Sequence, residues 1–199
     1  MSKPKVGITG GIGAGKSIVS QIFKLLGIPV YDADSRAKYL MNQDPELKKG
    51  IVSLFGSEAY TNEGLNRTFI ARQTFNNQSN LEQLNALVHP AVGSDYSKWE
   101  QEQNSKYTLK EAALLFEAGS YKDLDIIIVV SAPEELRIER VLARDSHRNR
   151  ADIEAIISKQ WPQEKKENKA DFVIYNEEKS LVIPQVLSVH EKILTSIGQ

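Results

Sequence analysis

GITGGIGAGKS, residues 7–17, carries five glycines, one lysine and one serine. Gly10 and Gly15 frame four residues, and Lys16 and Ser17 follow, which is the pattern G-x-x-x-x-G-K-[ST]. A short β-branched run precedes it and a helical pattern follows, the context this motif requires. Glycines let backbone N–H groups converge without side chains in the way. With the positive end of a helix dipole, those groups form an anion nest. The candidate phosphate-binding residues are Gly11, Ile12, Gly13, Ala14, Gly15, Lys16, Ser17 and Ile18. Lys16 supplies a point charge for β- and γ-phosphates, and Ser17 an oxygen for Mg²⁺. The bland alternative is a glycine-rich turn with no ligand. A dinucleotide fingerprint fails, because Lys16 stands where its third glycine belongs. The loop implies nucleoside triphosphate binding but leaves the reaction open. Switch GTPases, ATP-driven machines and small-molecule kinases all use it.

Working outward, residues 5–10 read as a buried strand and residues 17–26 as a helix with Ile18, Val19, Ile22, Phe23 and Leu26 on one face. Residues 28–34 read as a second strand closed by Asp32 and Asp34, and residues 35–104 as helical throughout. Strand character returns over 107–116, then over 125–130, where DIIIVV has the look of a strand buried on both faces. Helices over 133–145 and 150–160, a strand over 171–176 and a closing helix over 182–194 complete the chain. Strands alternating with helices predict an α/β fold with a mostly parallel sheet and helices on both faces. A parallel crossover needs only about a dozen residues, so the stretch 33–106 contains a helical insertion.

A net charge of −1 suggests no nucleic-acid or membrane field. No apolar run is long enough for a membrane span or a signal peptide. The chain has no cysteine, which excludes disulfides and thiolate metal sites and permits a cytoplasmic location. Oligomeric state is not legible.

Asp32 and Asp34 close a strand at the sheet edge that also carries the glycine loop. Residues two apart in a strand face the same side. Such a carboxylate can take the proton of an incoming hydroxyl or hold the water shell of Mg²⁺. A turn or a helix cap is the alternative, left open for Asp34. Arg137, Arg140 and Arg144 share one helix face, with Arg148 just beyond. Like charges at that spacing disfavour a helix, so Arg140 and Arg144 read as phosphate contacts. Arg137 reads as part of a solvated face paired with Glu134, Glu135 and Glu139. His89 precedes Pro90, a pairing biased toward an extended residue opening a helix. It reads as structural or as part of an acceptor site, as Asn176 reads as an adenine contact or a turn cap. His147, His190, Trp99 and Trp161 read as structural.

Taken in order, GITGGIGAGKS, DAD (32–34) with Arg36, LNR (65–67), LNALVHP (84–90), LLFE (114–117), RIERVLARD (137–145) and ADFVIYN (170–176) resemble the dephospho-CoA kinase family over residues 5–195. The resemblance implies a three-layer P-loop NTPase-type sandwich with a five-stranded, mostly parallel sheet, a helical substrate-binding insertion and a helical lid. It implies a nucleotide-binding core over 1–34 and 106–199, a lid near 140–165 and an acceptor domain over 35–105. The implied reaction moves a phosphoryl group from ATP, with Mg²⁺, to the ribose 3′-hydroxyl of dephospho-CoA. Asp32 then matches the catalytic base, Lys16 and Arg140 the transfer site, Arg144 and Asn176 the ATP side, Asp34, Arg67 and His89 the acceptor side, and Ser17 the metal. Ile18, Ala113 and Arg137 depart from the family, which commonly has a hydroxyl residue, proline and glutamine there. Shikimate and nucleoside monophosphate kinases share the loop but not the long insertion with its HP and LLFE segments. A guanine-switch reading lacks an N-K-x-D segment.

Overall fold

The structure, a computed structural model, describes residues 3–75 and 77–197. In chain order its main elements begin with β1 (Lys5–Thr9), α1 (Lys16–Leu25), β2 (Val30–Asp32), α2 (Ala33–Gln43) and α3 (Pro45–Phe55). There follow β3 (Tyr60–Thr61), β4 (Gly64–Leu65), α4 (Arg67–Phe75), α5 (Gln78–Glu102), β5 (Thr108–Glu111) and β6 (Ile126–Ser131). Last come α6 (Glu134–Arg144), α7 (Arg150–Ile157), α8 (Gln163–Glu167), β7 (Phe172–Tyr175) and α9 (Val182–Ile197). The chain divides into two compact units, one being Ala33–Glu102 and the other the chain before and after it.

The first unit is built on a five-stranded sheet in the order β2-β5-β1-β6-β7. Every pairing in it is parallel, so all five strands end at one edge. Val6 and Ile8 of β1 are fully buried in a core with Val19 and Phe23 of α1, Ile128 and Val130 of β6, and Val186 and Ile193 of α9. Gly7 faces the other way, where an added Cβ would press on Leu115 and Leu124. Burial on both faces explains the unbroken apolar run in β6. The Tyr107 hydroxyl meets His190 Nδ1 at 2.7 Å, and burial pushes the Tyr107 pKa well up.

Beside β6 lies a charged seam. Ser131 Oγ donates to Glu167 Oε1 at 2.6 Å. Lys166, with no exposed side chain, pairs with Glu117 Oε1 at 2.9 Å. The Trp161 backbone N–H donates to the same carboxylate at 2.6 Å. The Trp161 ring stacks on Phe116 at 5.5 Å, with 6° between the planes. The last two residues of LLFE thus anchor the segment that leads into β7.

The second unit packs α2, α3 and α4 against α5, with Leu47, Ile51, Ile70, Leu84, Val88, Val92 and Tyr96 buried. It contains an antiparallel β3–β4 pair, so the stretch is not helical throughout. Asn42 at the end of α2 holds that hairpin by accepting from Leu65 N–H at 2.8 Å. The Tyr60 hydroxyl donates to the Met41 carbonyl at 2.7 Å, and burial pushes its pKa up to about 12.

Several boundaries differ from the sequence reading. β2 stops at Asp32 and α2 begins at Ala33, so Asp34 is helical, in the first turn of α2, and belongs to the second unit. There its charge favours the helix dipole. β5 stops at Glu111 and turns follow over 113–119. Pro90 lies inside α5, so His89 is helical rather than an extended residue opening a helix. The apolar series Leu84, Val88, Val92 and Tyr96 runs through the proline, and its burial outweighs the local preference against a helix there.

Lys166→Met should destabilise the protein by about 3–5 kcal/mol, because it leaves the Glu117 carboxylate half-buried without its cation. Urea denaturation checks this, and adding Glu117→Leu should recover part of the loss.

Candidate active site

The glycine loop connects the central strand β1 to α1. Gly13 and Gly15 have φ of +78° and +95°, which favours glycine at both positions. Gly15 is the N-cap of α1, with no side-chain cap and no acid in the first helical turn. The positive end of α1 is therefore available to an anion. Lys16 Nζ donates to the carbonyls of Gly10 and Gly11 at 3.0 and 3.4 Å, which keeps the ammonium against the loop.

Four contacts hold the loop from behind. α6 runs so close that a Cβ on Gly13 would lie 2.9 Å from the Arg137 Cα. Ile12 packs into the cluster of Ile138, Val141 and Ile153, and its N–H donates to Gln160 Oε1 at 3.0 Å. Asn176 Nδ2 donates to the Ala14 carbonyl at 2.9 Å. Asn176 in turn accepts from Arg140, at its backbone oxygen (3.1 Å) and at Oδ1 (3.4 Å). Arg140, Asn176 and the loop thus form one hydrogen-bonded chain.

At the same edge, Asp32 ends β2 and stands in register with Glu111, which ends β5. Glu111 is in turn in register with Ile8 of β1. Ser17 Oγ donates to Glu111 Oε1 at 3.5 Å. The Glu111 carboxylate and the Ser17 hydroxyl therefore meet beside the loop, with Asp32 one strand further along the same edge. Ser17 and Glu111 offer hard oxygen atoms of the kind Mg²⁺ takes, the rest of its shell coming from phosphate and water. Asp32 is exposed and can meet a hydroxyl.

The arginines of α6 have three different environments. Arg140 joins Asn176. Arg144 is 64% exposed and pairs with Asp145, Nε to Oδ1 at 2.9 Å. Arg137 is 5% exposed, so it is not on a solvated face, although Glu134 does pair with it at 3.3 Å. Burial follows from its position on the side of α6 that backs the loop. In the second unit, Asp34, Arg67 and His89 all lie on helices and are exposed.

Glu111, Gln160 and the Glu117–Lys166 pair were not singled out by the sequence reading. Glu111 had a usable signal, being an acid at a strand end, but the strand was run on to Phe116. Gln160 and Lys166 offered none, because their partners lie 148 and 49 positions away in the chain.

A parallel sheet in this order, with a Walker-type loop after its central strand and acids ending the two strands on one side of it, defines the P-loop kinase class. A shikimate kinase from Acinetobacter baumannii shares the fold, with TM-score 0.54 and 16% identity over 98% of this chain and 94% of that one. The profile of the dephospho-CoA kinase family matches residues 5–181, and the chain belongs to that family. A dephospho-CoA kinase from Porphyromonas gingivalis is 40% identical over 190 residues, covering 96% of this chain and 94% of its own. The dephospho-CoA kinase from Campylobacter jejuni superposes with TM-score 0.68 at 27% identity, over 96% of this chain and 98% of that one.

Gly13→Ala forces a left-handed angle on an alanine, at roughly 1–3 kcal/mol, and presses its methyl on α6. Binding of a fluorescent ATP analogue should weaken about tenfold or more, the change that 1.4 kcal/mol produces, with the far-UV circular dichroism of the wild type retained.

Proposed function

We propose that the protein transfers the γ-phosphoryl group of ATP to the 3′-hydroxyl of the ribose of dephospho-CoA, giving coenzyme A and ADP, the last step of coenzyme A synthesis. The observation that carries the reading is the common strand edge. It gathers the anion-binding loop, Lys16, Ser17, Glu111 and Asp32 in a chain of this family.

In this reading the loop amides and Lys16 hold the β- and γ-phosphates. Asp32 accepts the proton of the acceptor hydroxyl as its oxygen bonds to the γ-phosphorus. The bond to the β–γ bridging oxygen breaks and ADP leaves. Arg140 takes up charge on the transferring group. Mg²⁺, held through Ser17 and Glu111, would neutralise charge between the β- and γ-phosphates. Arg144 and Asn176 serve the ATP side. Asp34, Arg67 and His89 are assigned to acceptor binding in the second unit, and residues near 140–165 to a lid that excludes water. No helix among the described residues is long and apolar enough to cross a membrane. The reaction is assigned to the cytoplasm, a reducing compartment that a chain without cysteine permits.

The test is ATP consumption with dephospho-CoA, shikimate or a nucleoside monophosphate as acceptor, with mass spectrometry locating the new phosphate. Turnover with dephospho-CoA alone is expected, and turnover on another acceptor or without any would overturn the assignment. Asp32→Asn should lower kcat by about 10²–10⁴ and leave ATP affinity unchanged. Glu111→Gln should raise the Mg²⁺ concentration for half-maximal rate by about tenfold, read from initial rates at saturating ATP. An unchanged requirement removes Glu111 from the metal.

A further inference from the structure

Of the three arginines of α6, Arg137 has no part in the scheme above. Its side chain is 6% exposed. The guanidinium lies against the start of the glycine loop, where a Cβ on Gly11 would overlap Nη1 and come within 3.0 Å of Cζ. Glycine at position 11 is what lets the cation approach so closely. Compensation is thin. The carboxylate paired with it, Glu134, makes a single contact at 3.3 Å and is itself 59% exposed. Nε is buried with no hydrogen-bond partner among the described residues. Glu177 is the other acid on the small cleft that Arg137 lines.

Burying a guanidinium is costly unless good partners offset it. Methionine or glutamine would fill the same space without that cost. A loop that receives polyphosphate on its open side provides a counter-charge for a cation on its closed side, and attraction between them is strong where water is excluded. We propose that Arg137 is a positioning residue that works through the glycine loop, adding buried positive charge behind Gly11 and Gly13 and so raising affinity for the nucleoside triphosphate. It does not touch the phosphates. The inference rests on the ATP-binding reading above and adds a residue to it.

The test compares wild type with Arg137→Met and Arg137→Lys, using a fluorescent ATP analogue without acceptor and then steady-state kinetics. Arg137→Met should weaken the analogue and raise KM for ATP about tenfold, with kcat and the acceptor KM within about twofold. Arg137→Lys should recover affinity to within about threefold of wild type. The inference is overturned if Arg137→Met binds like wild type, if Arg137→Lys is as weak as Arg137→Met, or if kcat and both KM values change together. Should Arg137→Met fail to fold, Glu134→Gln decides. Removing the opposing carboxylate should tighten analogue binding about twofold, and unchanged or weaker binding counts against the inference. A wild-type protein that binds no ATP analogue defeats the ATP reading and this one together. Binding by wild type with no difference in the variants defeats this one alone.

Discussion

The contact of α6 with the back of the glycine loop is the constraint on which the site depends. An anion nest works only if its N–H groups are held in place before the anion arrives, since ordering them afterwards would consume binding energy. A glycine-rich loop alone has the opposite tendency, because glycine has the most conformational freedom to lose. Here the Arg137 backbone stands under Gly13, Ile12 is set among Ile138, Val141 and Ile153, and Gln160 and Asn176 tie down a donor and an acceptor of the loop. The same glycines that leave the loop amides uncovered by side chains admit the helix behind them.

The loop also organises charge. α1 presents its positive end with no acid in its first turn, while the acids are kept to the ends of β2 and β5. The anion-attracting loop follows β1, and the acids end β5 beside it and β2 one strand further along the same sheet. The parallel topology makes this possible, because it brings every strand end of one polarity to the same edge. Arg140 spans the remaining gap through Asn176, so the last strand, the sixth helix and the loop form one connected group.

The seam at Phe116, Glu117, Trp161 and Lys166 gives LLFE a physical role. Glu117 receives a backbone N–H and a buried ammonium, and Phe116 receives the indole. The chain between α7 and β7 is therefore anchored at one end in the first unit, close in sequence to Gln160, which holds the loop.

Much of this was legible in the residue order. The loop motif, the alternation of strands and helices and the apolar run of β6 have local or periodic signals, so the α/β class and the parallel sheet followed from them, while the ordered set of short motifs carried the resemblance to the family. Asp32 was legible as one of two acids closing the second strand, of which the structure leaves Asp32 at the strand end and places Asp34 in a helix. Other features required the tertiary structure, because partners distant in sequence decided them. Glu111 ends its strand beside Asp32 because β5 pairs between β2 and β1. Arg137 is buried because the loop lies over its helix. Pro90 stays helical because the apolar face around it packs on three other helices. Sequence thus determined which groups were present and their local geometry, and the three-dimensional packing decided which of them meet, since burial and pairing depend on residues far along the chain.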